Sequence, residues 1–140
     1  LTEKTIDIYF NRKGTLPLIA RSQNNIIGYI IGLPLESLSK EPWARLDENY
    51  EKYNTIYTYA FVIKDEYKGN GFAKMLKKVY LNWAKKKEGI TFITGHVRLG
   101  IASRFKGEIK VINQVENWQG TGKVFEYYRR NLDPEKIHSS

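Results

Sequence analysis

Residues 66–76 read EYKGNGFAKML, and in them Gly69 and Gly71 stand one residue apart, behind Lys68 and ahead of an amphipathic run. Glycine admits positive φ and puts no Cβ between a ligand and the main chain. A helix opening at Phe72 adds unpaired N–H groups and the positive end of its dipole. That combination binds an anion, most often a phosphate, and Lys68 brings a full positive charge to its mouth. Two phosphate loops fail by inspection. A Walker loop needs glycine and Ser or Thr where the segment around Gly122-Lys123 has Asn117 and Val124, and a dinucleotide fingerprint needs a third glycine where Lys74 stands.

The other groups that could do chemistry are few. With no cysteine in the chain, thiol nucleophiles, disulfides and cysteine-bound zinc are excluded, and an intracellular, cytoplasmic setting is expected. Two histidines without HExxH spacing predict no metal site. His96, alone in a strand-like run, reads as a hydrogen-bonded structural residue, and His138 in the tail has no role. Tyr57, Tyr59, Tyr127 and Tyr128 read first as sheet packing. Trp83 reads as helix core and Trp118 as turn packing or the wall of an acceptor pocket.

These groups need elements to hold them. Residues 16–21 and 26–31 alternate around Gln23-Asn24-Asn25 as a hairpin, and 55–63 form an aromatic, β-branched strand. Between them, residues 34–54 mix prolines with carboxylates and predict a long connection with a short helix around Trp43, Leu46 and Tyr50. Phe72, Met75, Leu76, Val79, Tyr80 and Trp83 fall on one helical face, and Lys85-Lys86-Lys87 before Gly89 suit a helix end. A strand at ITFITGHV, a short helix at GIASRFKG, a strand at EIKVINQV, a turn at ENWQGTGK and a last strand at VFEYYRRNL follow, with a loose tail after Pro134. The order β β β α β α β β predicts an α/β or α+β fold with a mixed sheet flanked by helices. At 140 residues, with no apolar run long enough to cross a bilayer, the chain is expected to be one soluble domain, residues 1–140.

Lys68, Gly71 and Ala73, placed between a strand and a helix, resemble the signature of the GNAT N-acetyltransferases: Arg or Gln, two free positions, Gly, one free position, then Gly or Ala. Gly69 and the apolar pair Met75-Leu76 fit the same pattern, and the resemblance runs from Leu16 to Asn131. It implies a mixed, mainly antiparallel sheet with a splayed central strand. It also implies acetyl-CoA as cofactor, with the pyrophosphate on Lys68, Gly69, Asn70, Gly71, Phe72 and Ala73 and the pantetheine arm along Phe61, Val62 and Ile63. Phe105 falls at an apolar cofactor-side position of the short helix.

The chemistry so implied is direct attack of an amine on the thioester, with a main-chain N–H near Val62 holding the oxyanion and no cysteine required. Where many members carry a basic carboxylate this chain has Tyr57. Tyr57 or Tyr59 would order a water, or Glu51 or Asp47 would reach over from the connection. The family's acid tyrosine and its Asn are replaced by Lys106 and Leu99, leaving Tyr127, Tyr128 or solvent to protonate the thiolate. The family's first strand and a helix are expected to be missing ahead of Leu16. The acceptor is an amine of a small molecule or a protein, with no membrane partner. A net charge of +8, with Lys85 to Lys87 and Arg129-Arg130, keeps open a non-catalytic module that binds nucleic acid or regulates a partner.

Overall fold

The computed structural model of the chain describes residues 4–8, 16–22 and 25–133. Its strands are β1 (Lys4–Ile8), β2 (Leu16–Ser22), β3 (Asn25–Pro34), β4 (Thr55–Ile63), β5 (Phe92–Arg98), β6 (Glu108–Val115) and β7 (Phe125–Asn131). Helix α1 spans Pro42–Arg45 and α2 spans Phe72–Lys86. The strands form one sheet in the order β1-β2-β3-β4-β5-β7-β6. Only β4 and β5 pair in parallel; every other neighbouring pair is antiparallel. This is the mixed sheet that the element order predicts, mainly antiparallel as the resemblance implies.

Helix α2 covers one face of the sheet. Its stripe of Phe72, Leu76 and Tyr80 buries against Leu18, Ile27, Ile30, Ile56 and Ile93, with Met75, Val79 and Trp83 packed around them. Burying such side chains stabilises by about 1.5–3 kcal/mol each. Close approach is possible because β3 has no side chain at Gly32, where a Cβ would lie 2.8 Å from the Tyr80 hydroxyl. That hydroxyl instead bonds Thr58 Oγ1 at 2.9 Å and ties the helix to β4. On the opposite face a 3-10 turn at Leu35–Leu38 and α1 cover Tyr57 and Tyr127, burying Leu35 and Ala44 against them.

The connection is latched to the sheet by charge. Asp47, its side chain fully buried, accepts from the Tyr127 hydroxyl at 2.5 Å and from Arg129 Nη2 at 3.0 Å, while Arg129 Nη1 donates to Glu48 at 2.7 Å. The carboxylate also takes the N–H of Asn49 at 2.9 Å. Both Asp47 oxygens and both terminal nitrogens of Arg129 are thus bonded, with Arg129 Nε left without a partner among the described residues and Glu48 reaching out to solvent, and removing either member of the buried pair leaves the other uncompensated.

The structure departs from the sequence expectations in four places, one of them the short helix expected at GIASRFKG, which is a single 3-10 turn at Ala102–Arg104. A strand, Lys4–Ile8, pairs with β2 ahead of Leu16, where none was expected. Asn25, assigned to a turn, is the first residue of β3. In the connection the helix stops at Arg45, and Leu46 is 83% exposed, because the buried Asp47 carboxylate draws the chain inward and ends the helical period. The tail after Asp133, with His138, lies outside the described residues.

Asp47→Ala leaves Arg129 buried with one exposed partner. The expected loss is about 3–5 kcal/mol, read as a lower urea midpoint at unchanged m-value, and Asp47→Ala with Arg129→Met should recover most of it. A loss below about 1 kcal/mol for the single change would show that the latch is not what holds the connection.

Candidate active site

The site begins where two strands stop pairing. β4 and β5 are matched only over Thr55–Thr58 and Phe92–Gly95, although β4 continues to Ile63 and β5 to Arg98. The divergence starts at a bulge. Ile31 pairs with Ala60 and Gly32 with Thr58, so Tyr59 is the extra residue on β4. Past the bulge β4 still pairs with β3, and Lys64 donates its N–H to Ile27 at 2.8 Å. Backbone groups alternate sides along an antiparallel strand. Val62, two residues before Lys64, therefore also turns its N–H toward β3, and Phe61 and Ile63 turn theirs to the open edge. The register points Val62's own N–H into the sheet, so the amides near Val62 that face the open edge are those of Phe61 and Ile63.

The apolar side chains at this edge are left in water. Phe61 is 41% exposed and Val62 39%. With Ile63, Lys68, Gly69 and Ala73 they line a cavity of about 500 Å³ at the start of α2. Gly71 is the N-cap of that helix at φ 78°, and Gly69 sits at φ 82°. No side chain caps α2 and no acid lies in its first turn, so its leading N–H groups and dipole face the cavity uncompensated. A Cβ at Gly69 or Gly71 would meet nothing within 4 Å. These glycines are required by backbone conformation, and the space beside them is open to a ligand. Asn70 folds its amide back to the Tyr67 carbonyl at 3.2 Å, which shapes the loop. Lys68 is exposed and bonds Asp65 at 2.8 Å, holding that carboxyl below its ordinary range and taking up part of the charge expected at the mouth.

Phe61 also lines a second cavity, of about 370 Å³, set between α2 and the open ends of β4 and β5. Its walls include Thr58, Lys77, Phe105, Tyr128 and Arg130. Tyr128 is buried beneath the Phe105 ring, centroids 5.2 Å apart and nearly perpendicular. Burial raises its hydroxyl above the ordinary value, so it stays protonated. Arg130 donates to the Lys106 carbonyl at 2.6 Å, so the position that would carry the acid tyrosine serves through its main chain.

Thr58, Tyr59 and His96 open on a third cavity, about 350 Å³, on the opposite face of the sheet. Trp43, Trp118 and Glu41 complete its walls. Here the Tyr57 hydroxyl meets His96 Nδ1 at 2.7 Å. Burial pushes Tyr57 up and holds His96 down at about 4, so the phenol is protonated and the imidazole neutral at physiological pH. Trp118 stacks on the imidazole at 3.8 Å and Trp43 meets it edge-on at 4.7 Å. His96 Nε2 is buried with no hydrogen-bond partner among the described residues, an uncommon state for a ring nitrogen.

The structure therefore brings Tyr57 and Tyr59 to one cavity and Tyr128 to the next, with Tyr59 at both. Asp47 is withdrawn as a base by its bonds to Tyr127 and Arg129, and Tyr127 is withdrawn as an acid by the same bond. Glu51 is exposed in a turn at φ 71°, and its carboxylate lines none of the three cavities. His96 is the member that sequence reasoning passed over. The signal lies in the parallel register, which sets Tyr57 beside Thr94 and hence His96 two residues further along the same face.

The sheet opened at a bulge beside a glycine-rich helix start lies within residues 2–103, which the acetyltransferase (GNAT) family model matches. The chain belongs to that family. Its fold is shared with the spermidine/spermine N-acetyltransferase SpeG from Vibrio cholerae, at TM-score 0.64 and 10% identity over 99% of this chain and 98% of that one. It is likewise similar to the ribosomal-protein-S18-alanine N-acetyltransferase from Escherichia coli (TM-score 0.61, 9% identity, 87% and 71% covered). Ard1 from Thermoplasma volcanium is a third (0.61, 13%, 82% and 69%). No curated protein matches the chain by sequence. Among the described residues no helix is long and apolar enough to cross a membrane.

The His96 environment has a pH signature. Folded, it binds its proton only near pH 4, whereas an unfolded chain binds it near 6.5. Between these values the unfolded state holds more protons, so this group's contribution to stability rises from pH 4 to 6.5 and is constant above. An NMR titration assigned with His96→Gln should give a midpoint of about 4; one at 6 or above would mean that the imidazole is not buried as described.

Proposed function

We propose that the chain, acting as a single domain over residues 1–140, transfers an acetyl group from acetyl-CoA to a primary amine of a small molecule or a protein, by direct attack with both partners bound. The observation that carries this is the unpaired edge of β4 leading into the uncapped start of α2. Acetyl-CoA, when bound, supplies an acyl thioester that needs no enzyme nucleophile, in keeping with a chain that has no cysteine.

The residues fit that donor in two parts. Amides around Gly69 to Ala73 would hold the pyrophosphate, with Lys68 at the rim and Phe72 seating the helix start. The edge formed by Phe61, Val62 and Ile63 would hold the pantetheine arm as an added strand, its apolar side chains covered in the process. Phe61 N–H, near Val62 on the open edge, would be the donor for the charge that develops on the acyl oxygen. Phe105 would flank the arm from the far side.

The acceptor would enter through the third cavity. An alkylammonium is attracted there by the faces of Trp43 and Trp118 and by Glu41, the one carboxylate among the lining residues. It must lose a proton before it can attack. Tyr57, oriented by its bond to the neutral His96 2.7 Å away, and Tyr59 can order a water that carries that proton out to solvent. Tyr128, protonated on the donor side, is placed to return a proton to the departing thiolate.

Calorimetric titration with acetyl-CoA should show one site per chain, lost in Gly71→Trp while the circular dichroism spectrum is kept. Undiminished binding by that variant, or none by the unaltered chain, would overturn the assignment. Given an acceptor, Tyr57→Phe should lower kcat by roughly 10²-fold or more with little change in acetyl-CoA affinity; unchanged kcat would remove Tyr57 from the relay.

A further inference from the structure

The cavity between α2 and the open ends of β4 and β5 contains a nucleophile that transfer to an outside amine does not use. Lys77 points into it, half-buried, with Nζ 3.6 Å from the centre of the Phe105 ring. Its neighbours on the helix, Lys74 and Lys78, are exposed. No carboxylate lines the cavity; the groups there that titrate or carry charge are Tyr59, Tyr80, His96, Tyr128 and Arg130. Among the described residues neither Lys77 nor Arg130 pairs with an acid.

A lysine in water is almost wholly an ammonium ion at neutral pH and is not a nucleophile. Burial first, and then the Arg130 charge, hold Lys77 down to about 8. At pH 7.5 roughly a quarter of such amines are neutral, against about one in a thousand at the ordinary lysine value. The same cavity runs past Tyr59, Ala60 and Phe61, the edge that would carry the acyl end of the donor. A neutral amine and an acyl thioester would then share one enclosed space.

We propose that Lys77 is a self-acylation site, modified by the acyl thioester that the chain itself binds. This rests on the donor site proposed above. In the step, the Lys77 nitrogen lone pair forms a C–N bond to the acyl carbon and the C–S bond breaks. The sulfur leaves with the electron pair, and the proton lost from nitrogen ends on it, giving coenzyme A thiol and an amide at Nζ. No oxidant or further reactant is needed. Arg130 remains charged in the cavity and offsets the thiolate as it forms.

The test is peptide mapping by mass spectrometry of the full chain after incubation with acetyl-CoA at pH 7.5, beside calorimetry of acetyl-CoA binding. The expected result is one acetyl group, on Lys77, gained on the order of a hundredfold faster than on Lys74 or Lys78. It should be absent from Lys77→Arg and lost from Gly71→Trp. Acetyl-CoA bound at the Gly71-dependent site with Lys77 unmodified would overturn the proposal and leave the donor site standing. Modification of Lys77 no faster than of its exposed neighbours, or equally fast in Gly71→Trp, would overturn it as uncatalysed chemistry. Failure of acetyl-CoA to bind would take the donor site and the proposal down together.

Discussion

One extra residue in β4 governs the rest of the molecule. A β-strand in the middle of a sheet has backbone partners on both sides, and giving one side up leaves polar groups that demand other partners. Tyr59 imposes that loss at the centre of the sheet, where β4 turns away from β5 after only Thr58 and Gly95. An unpaired edge at that place survives only if neighbouring structure holds it open. Thr58, the last paired residue, is bonded to Tyr80 of α2, and β4 remains continuous with β3 out to Ile63. On the other side β5 is held by β7 along its whole length. The opening is thus a gap between two well-paired half-sheets, and the amides of Phe61 and Ile63 lie on its edge ahead of the start of α2.

The two sides of the gap differ in charge and in kind. Toward α2 the cavity holds two cations, Lys77 and Arg130, and no acid. On the far side it holds tryptophans, tyrosines, a neutral histidine and Glu41. On the proposed reading, that difference would sort an anionic donor and a cationic acceptor to opposite faces, each repelled by or indifferent to the other's side. The buried Asp47–Arg129 pair belongs to this division as well. It fixes the connection that carries Trp43 and Glu41, and in doing so takes an acid out of the site that might otherwise have served as its base.

Much of this was legible in the sequence because it rests on local rules. The helix face from Phe72 to Trp83 follows from periodicity, the strands expected at 90–97, 108–115 and 124–132 lie within two residues of β5, β6 and β7, and Gly69 and Gly71 follow from positive φ at a helix start. What was not legible depends on register. Nothing in TIYTYAFVI shows that Tyr59 is a bulge, yet that residue decides which of the amides near Val62 face outward, those of Phe61 and Ile63. Pairings such as Tyr57 with His96, or Asp47 with Arg129, join residues far apart in the chain, and composition gives no hint of them. The short strand β1 was missed for a related reason: five residues offer too little alternation to stand out, and their pairing is supplied by β2.

The replacement at position 106 shows how the fold absorbs a change at its own site. A family tyrosine there would reach the donor from a helix after β5, but this chain has a single 3-10 turn, Ala102–Arg104, and then Phe105 and Lys106. Arg130 takes up the Lys106 carbonyl, which fixes the segment without a helix, and Phe105 lies over Tyr128. A hydroxyl therefore still reaches the donor-side cavity, from β7 instead of from a helix. Its carrier is paired on both sides, by β5 and β6. A group on such a strand is held more closely than one on a short turn, so the exchange keeps a protonated hydroxyl in place while freeing the turn to vary. The cost lies in the cavity itself, where Arg130 is buried beside Lys77 with no acid among the lining residues to offset either charge.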